Sequence, residues 1–182
     1  NILLIYLDEP IQAIDLLRHS VENTTLDKYD IAVCKMELAS ALLTQGKVWD
    51  ATLIYAQVEK EFKEDVIGQK AKFQKTKISY YNGDFEWAQT QLKVLKLSTS
   101  KLIANNAMKL SLLISDNLNL DTTDTALLIY AQSELLFKQK RYPACLKKLN
   151  ELETLFPGHS LLDEMLLKKS DVYIATNEYF KA

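Results

Sequence analysis

The chain has 182 residues, 48% of them hydrophobic, with 22 basic against 24 acidic side chains and a net charge of −2. That size suits one compact domain or a short repeat array with a sizeable core, and the apolar content with balanced charge excludes disorder. Four Gly and three Pro are too few for a turn-rich β protein, the near-neutral balance offers no field to hold nucleic acid, and no apolar run reaches the roughly 18 residues of a membrane span.

Residues 1–7 carry neither an initiator Met nor a basic flank, so no targeting signal is read there, and residues 177–182 read as a turn opening another helix. The expectation is a segment of a longer protein. Internal similarity organises what lies between. Gly46-Lys-Val-Trp-Asp-Ala51 and Gly83-Asp-Phe-Glu-Trp-Ala88 each join a helix stop to a small residue five positions on. Lys140-Arg-Tyr-Pro-Ala-Cys145 and Asn177-Glu-Tyr-Phe-Lys-Ala182 keep that spacing, and Asp8-Glu-Pro-Ile-Gln-Ala13 is a degenerate copy. The small residues Ala13, Ala51, Ala88, Cys145 and Ala182 stand 38, 37, 57 and 37 positions apart.

Each unit reads as two helices, and the fold class as all-α. Residues 29–45 place Ile31, Leu38 and Leu42 on one stripe with Ala32, Met36, Ala39 and Leu43 beside it. Gly46 ends that helix, because the residue past a helix end often needs a positive φ. Residues 49–62 form the second helix, with Ala51, Tyr55, Val58 and Phe62 in a row. Gly83, Asn177 and Asp8 tolerate the left-handed region at the equivalent turns; Lys140 does not share that tolerance. The small residues fit where two helices of a hairpin cross closely.

The gap between Ala88 and Cys145 exceeds one period by 20 residues, the length of one helix. Ser98-Thr99-Ser100 offers a cap, and the helix of residues 101–115 is apolar nearly all round, so it is expected to be buried on more than one side. It either fills a gap in the stack or docks a partner. Residues 116–124 read as a loop ending in helix caps.

The turn signatures resemble those of the tetratricopeptide repeat family. Leu38, Ala39, Leu42, Gly46, Ala51 and Tyr55 match one repeat, Gly83, Phe85, Ala88 and Leu92 the next, and Ser133, Leu136, Tyr142, Cys145, Leu149 and Pro157 a third. Ser170, Tyr173, Tyr179 and Ala182 begin a fourth, while Lys35, Lys72 and Lys75 depart from the family's Trp or Leu. A generic array of helical hairpins is the alternative. The resemblance implies an α-solenoid of antiparallel hairpins in a right-handed superhelix, with one extra helix near residues 100–116. Its units run over residues 1–27, 28–64, 65–98, the insertion 99–118, 122–158 and 159–182.

In that family the first helix of each hairpin lines a concave face. The implied partner-binding positions are Met36 and Ser40, then Lys70, Phe73, Lys77, Tyr80 and Tyr81, then Tyr130, Glu134 and Phe137. Residues 68–110 hold eight basic and two acidic side chains, between acidic flanks. Lysines beside aromatics suit an acidic or extended peptide, although a solvated face and ordinary inter-repeat packing explain the same residues.

Signals for chemistry are lacking. His19 and His159 have no ligand-spaced neighbour, so no metal site is read, and Cys34 and Cys145 read as packing residues rather than nucleophiles. The four scattered Gly form no phosphate loop, and no cofactor is expected. The implied activity is a non-catalytic protein or peptide interaction scaffold. A structural spacer or self-assembly segment that dimerises through its ends, or an accessory array positioning a catalytic domain elsewhere, are the alternatives.

Overall fold

A computed structural model describes residues 10–22, 25–118 and 124–182. Among these the chain is all-helical. Nine α-helices follow in order: α1 (Pro10–Glu22), α2 (Lys28–Thr44), α3 (Val48–Glu61), α4 (Val66–Tyr81), α5 (Phe85–Leu95), α6 (Lys101–Leu118), α7 (Thr125–Lys138), α8 (Tyr142–Leu155) and α9 (Leu162–Ala175), with a short 3₁₀ turn at Tyr179–Lys181. Two compact units divide them. Of the described residues, the first gathers those up to 78 together with 91–107, and the second 79–90 together with those from 108 on. In the first unit α2 packs on both α1 and α3; in the second α8 packs on α7 and α9, and α9 also reaches α7.

The turns at Gly46, Gly83, Lys140 and Asn177 share one hydrogen-bond pattern. The turn residue's N–H donates to the carbonyl three residues back, at Leu43 (3.0 Å), Tyr80 (3.1 Å), Phe137 (2.9 Å) and Ile174 (3.1 Å). The next N–H donates to the carbonyl five residues before it: Lys47 to Leu42, Asp84 to Ser79, Arg141 to Leu136 and Glu178 to Tyr173, at 2.8–2.9 Å. This closure satisfies the last free carbonyls of each helix and demands a left-handed residue at its centre. The φ values are 77°, 88°, 58° and 61°. The sequence expectation for Lys140 is therefore corrected: it takes the left-handed conformation. Strain of about 1–2 kcal/mol at one residue is small beside the hydrophobic burial of the following helix, about 1.5–3 kcal/mol for each large side chain. The copy at Asp8 lies outside the described residues.

Beyond the turns the helices bury the same register. Five, nine and twelve positions on stand Ala51, Tyr55 and Val58; Ala88, Leu92 and Leu95; Cys145, Leu149 and Leu152, all at most 2% exposed. Seven positions before the turns stand the small residues Ala39, Thr76 and Ser133, also buried. The Thr76 hydroxyl donates to the Lys72 carbonyl at 2.8 Å and Ser133 to the Tyr130 carbonyl at 2.6 Å, so these positions bury a hydroxyl without leaving it unpaired. In the fourth copy the pattern stops short: Ala182 is exposed, and a 3₁₀ turn precedes it.

The extra helix is present as α6, three residues longer than the sequence indicates. It buries Ile103, Ala107, Leu110, Ser111, Ile114 and Asn117 along one stripe and exposes Leu102, Met108 and Leu112. Expected burial on more than one side is thus replaced by a single buried face. Two polar residues on that stripe are matched within the second unit. Ser111 donates through Oγ to Gln89 Oε1 at 2.6 Å while Gln89 Nε2 donates to the Ser111 carbonyl at 2.8 Å, and Asn117 accepts from the Ser160 hydroxyl at 2.6 Å. Residues 119–123 of the expected loop lie outside the described residues.

Candidate functional site

Five expected partner-binding residues belong to the first unit. There Met36 on α2 and Phe73 on α4 are buried, Ser40 and Lys77 are half-buried, and Lys70 is exposed. The other five belong to the second unit, where Tyr80, Tyr81 and Tyr130 are buried and Glu134 and Phe137 are half-buried. The aromatic members of the set therefore pack between helices.

Their chemistry in the second unit is that of a tie. The Tyr80 hydroxyl donates to Glu134 Oε2 at 2.9 Å, and its ring lies 5.6 Å from that of Tyr81 and 5.8 Å from that of Phe85. From α7, the Tyr130 hydroxyl reaches the Glu164 carbonyl of α9 at 3.5 Å. The Lys168 ammonium of α9 sits 4.9 Å above the Phe137 ring and pairs with Asp171 at 3.0 Å. Burial, then the charge of Glu134, pushes the Tyr80 phenol well above the ordinary tyrosine range. Burial first, then Glu134 and Glu164, raises Tyr130 as well. Both phenols stay protonated and act as hydrogen-bond donors. The Cys145 thiol is pushed up to about 11 by burial, against the opposing charge of Lys168, so at neutral pH it is not a thiolate nucleophile.

Among the described residues no three His, Cys, Asp or Glu side chains gather as a metal site requires. No described helix is long and apolar enough to cross a membrane. Two clefts remain. In the second unit, one of about 450 Å³ lies at the start of α5, with Asp84, Glu86 and Asp124 around Trp87. In the first unit, one of about 290 Å³ lies among the end of α3, the start of α4 and the end of α5, lined by Glu59, Lys63, Lys72, Val94, Leu97 and their neighbours.

Gly68 shapes that second cleft. A Cβ there would lie 1.8 Å from the Phe62 carbonyl oxygen, so only glycine lets the first turn of α4 come against the end of α3. Among the lining residues, the Ser98 hydroxyl donates to the Gln69 side-chain oxygen. Sequence reasoning passed over Gly68, Val94 and Leu97. The available signal was a glycine within a helical pattern, which marks a close backbone approach; Leu97 falls just beyond its helix, off the periodic stripe, and gave none. No family model, curated protein or solved structure matches the chain.

Proposed function

We propose that the chain is an α-solenoid of tetratricopeptide-like hairpins that works as a non-catalytic scaffold for a protein or peptide partner. The observation that carries this reading is the repeated closure at Gly46, Gly83, Lys140 and Asn177, followed at three of the four turns by the same buried small, large, large register. Units that repeat in this way stack by burying each face on a neighbour, and an extended surface is what such stacks offer a partner. The aromatic residues of the expected concave face serve the packing, so the anchors a partner meets are exposed ones. Trp49, at 83% exposure on α3, is the largest in the first unit, and Trp87 on α5 is its counterpart in the second. Small-angle scattering tests the solenoid. A compact globule of 182 residues has a radius of gyration of about 16 Å; the proposal requires a clearly larger value, and about 16 Å would reject it.

One observation favours self-assembly as a second reading. The positions ten and three before the turn are buried as Met36 and Leu43 and as Phe73 and Tyr80, and the second unit covers the pair Tyr130 and Phe137 with α9. On α9 the same positions are Leu167 and Ile174, exposed at 66% and 52%. Sedimentation equilibrium is expected to show a dimer that Leu167→Glu with Ile174→Glu converts to monomer. A chain that is monomeric at all concentrations removes this reading and leaves the scaffold intact.

A further inference from the structure

We infer that the cleft of the first unit is a docking site for an acidic peptide segment with an aliphatic anchor, an inference that rests on the scaffold reading and names the partner's chemistry. One wall of the cleft is apolar and open to solvent: Leu97 is 85% exposed and Val94 56%. The lining also includes Lys63, just past the end of α3, and Lys72 of α4. The carboxylate of Glu59 is already engaged by Lys75, so it does not neutralise them. Neither Lys63 nor Lys72 has an ion-pair partner among the described residues, and Lys93 and Lys96 flank the apolar wall along the same stretch of chain. Glu64 in the lining and Asp65 next to it in the chain are exposed carboxylates without an ion-pair partner among the described residues, and they oppose the four lysines only in part.

Charge and shape together select the occupant. Covering Leu97 and Val94 removes apolar surface from water, which an aliphatic side chain does and a purely charged ligand does not. Carboxylates on either side of that side chain then meet free ammonium groups, which speeds approach and fixes orientation. The cleft's volume lies at the lower edge of pockets that bury a whole small molecule, and its rim is open, so it accommodates a side chain or two of a longer chain lying across it. A nucleic acid would meet no net positive field on a protein of net charge −2 and no complement for Val94 and Leu97.

The test uses fluorescence anisotropy with a fluorescein-labelled peptide, Asp-Glu-Leu-Glu-Leu-Asp-Glu, beside the same peptide with serines for leucines and a labelled twelve-nucleotide oligo-dT. Backbone amide shift mapping accompanies it. The acidic leucine peptide is expected to bind with falling affinity as salt rises and to shift residues 63–72 and 94–98. Its affinity is expected to drop at least about tenfold for Lys63→Glu with Lys72→Glu, for Leu97→Ser, and for the serine peptide, a change of about 1.4 kcal/mol in each case. Lys147→Glu, an exposed change in the second unit, leaves binding unchanged. Circular dichroism confirms that each variant folds. Equal binding by the lysine variant, shifts mapping elsewhere, tighter binding of oligo-dT, or no binding at millimolar peptide would each overturn the cleft proposal. Shifts mapping elsewhere would still leave the scaffold reading standing, because a peptide would then bind at another surface.

Discussion

The α2–α3 hairpin of the first unit turns on a glycine, and the α7–α8 hairpin of the second turns on a lysine. Both turns close with the same two hydrogen bonds, at φ of 77° and 58°, and both are followed by a fully buried small residue, Ala51 or Cys145. The difference teaches that the local preference of the turn residue does not decide the hairpin. The tertiary register does, and it holds a non-glycine residue in a conformation that such residues rarely adopt.

The comparison breaks most severely at the crossing. Ala51→Leu forces a large side chain between α2 and α3 and is expected to cost about 3 kcal/mol in urea unfolding, whereas Cys145→Leu, starting from a larger residue, costs less. Equal costs would mean that the two crossings are not equivalent in spacing. The next effect lies at the turns. Gly46→Ala, with nothing within 4 Å of the new Cβ, pays only for backbone strain and is expected to lose about 1 kcal/mol. Gly83→Ala adds contact with Leu128 Cδ1 at 3.0 Å and is expected to lose more. In the opposite direction, Lys140→Gly is expected to stabilise by about 0.5 kcal/mol, since relief of strain exceeds the added freedom of the unfolded chain. Thermal unfolding gives the sign, and a loss of stability would show that Lys140 is unstrained.

A further effect is confined to alkaline solution and is absent at neutral pH. The Cys145 thiol is raised from 9.0 to about 11 in the folded chain, so the folded state keeps a proton that the unfolded state releases. Its contribution is fully present below pH 9 and is lost as pH rises through that interval. Cys145→Ala is expected to flatten the stability profile between pH 9 and 11, leaving the decline from Tyr80 and Tyr130, which begins near 10. An unchanged profile in the variant would show that the thiol does not report on folding.

Much of this architecture was legible in the sequence, for definite reasons. The positions of the turns followed from Gly46, Gly83 and Asn177, residues that reach positive φ readily, and from the fixed distance to Ala51, Ala88 and Cys145. Periodicity marked the stripes of Met36, Phe73, Tyr80 and Tyr130, but a stripe says only that a face is apolar, not whether a helix or a partner covers it. These residues are covered by helices. On α6 the error ran the other way, because Leu102, Met108 and Leu112 are apolar yet exposed, as single surface residues commonly are. The cleft was invisible because its members come from three separate stretches of chain and because Gly68 matters only through its distance to the Phe62 carbonyl.

The claim that one hairpin closure recurs whatever residue stands at its centre is tested most directly at Lys140. Backbone carbon and nitrogen chemical shifts of the chain in solution report φ residue by residue. The account predicts left-handed values at Gly46, Gly83, Lys140 and Asn177 alike, with slow amide exchange at Lys47, Asp84 and Arg141, whose N–H groups close the turns. A right-handed or extended Lys140, with a freely exchanging Arg141 amide, would contradict it.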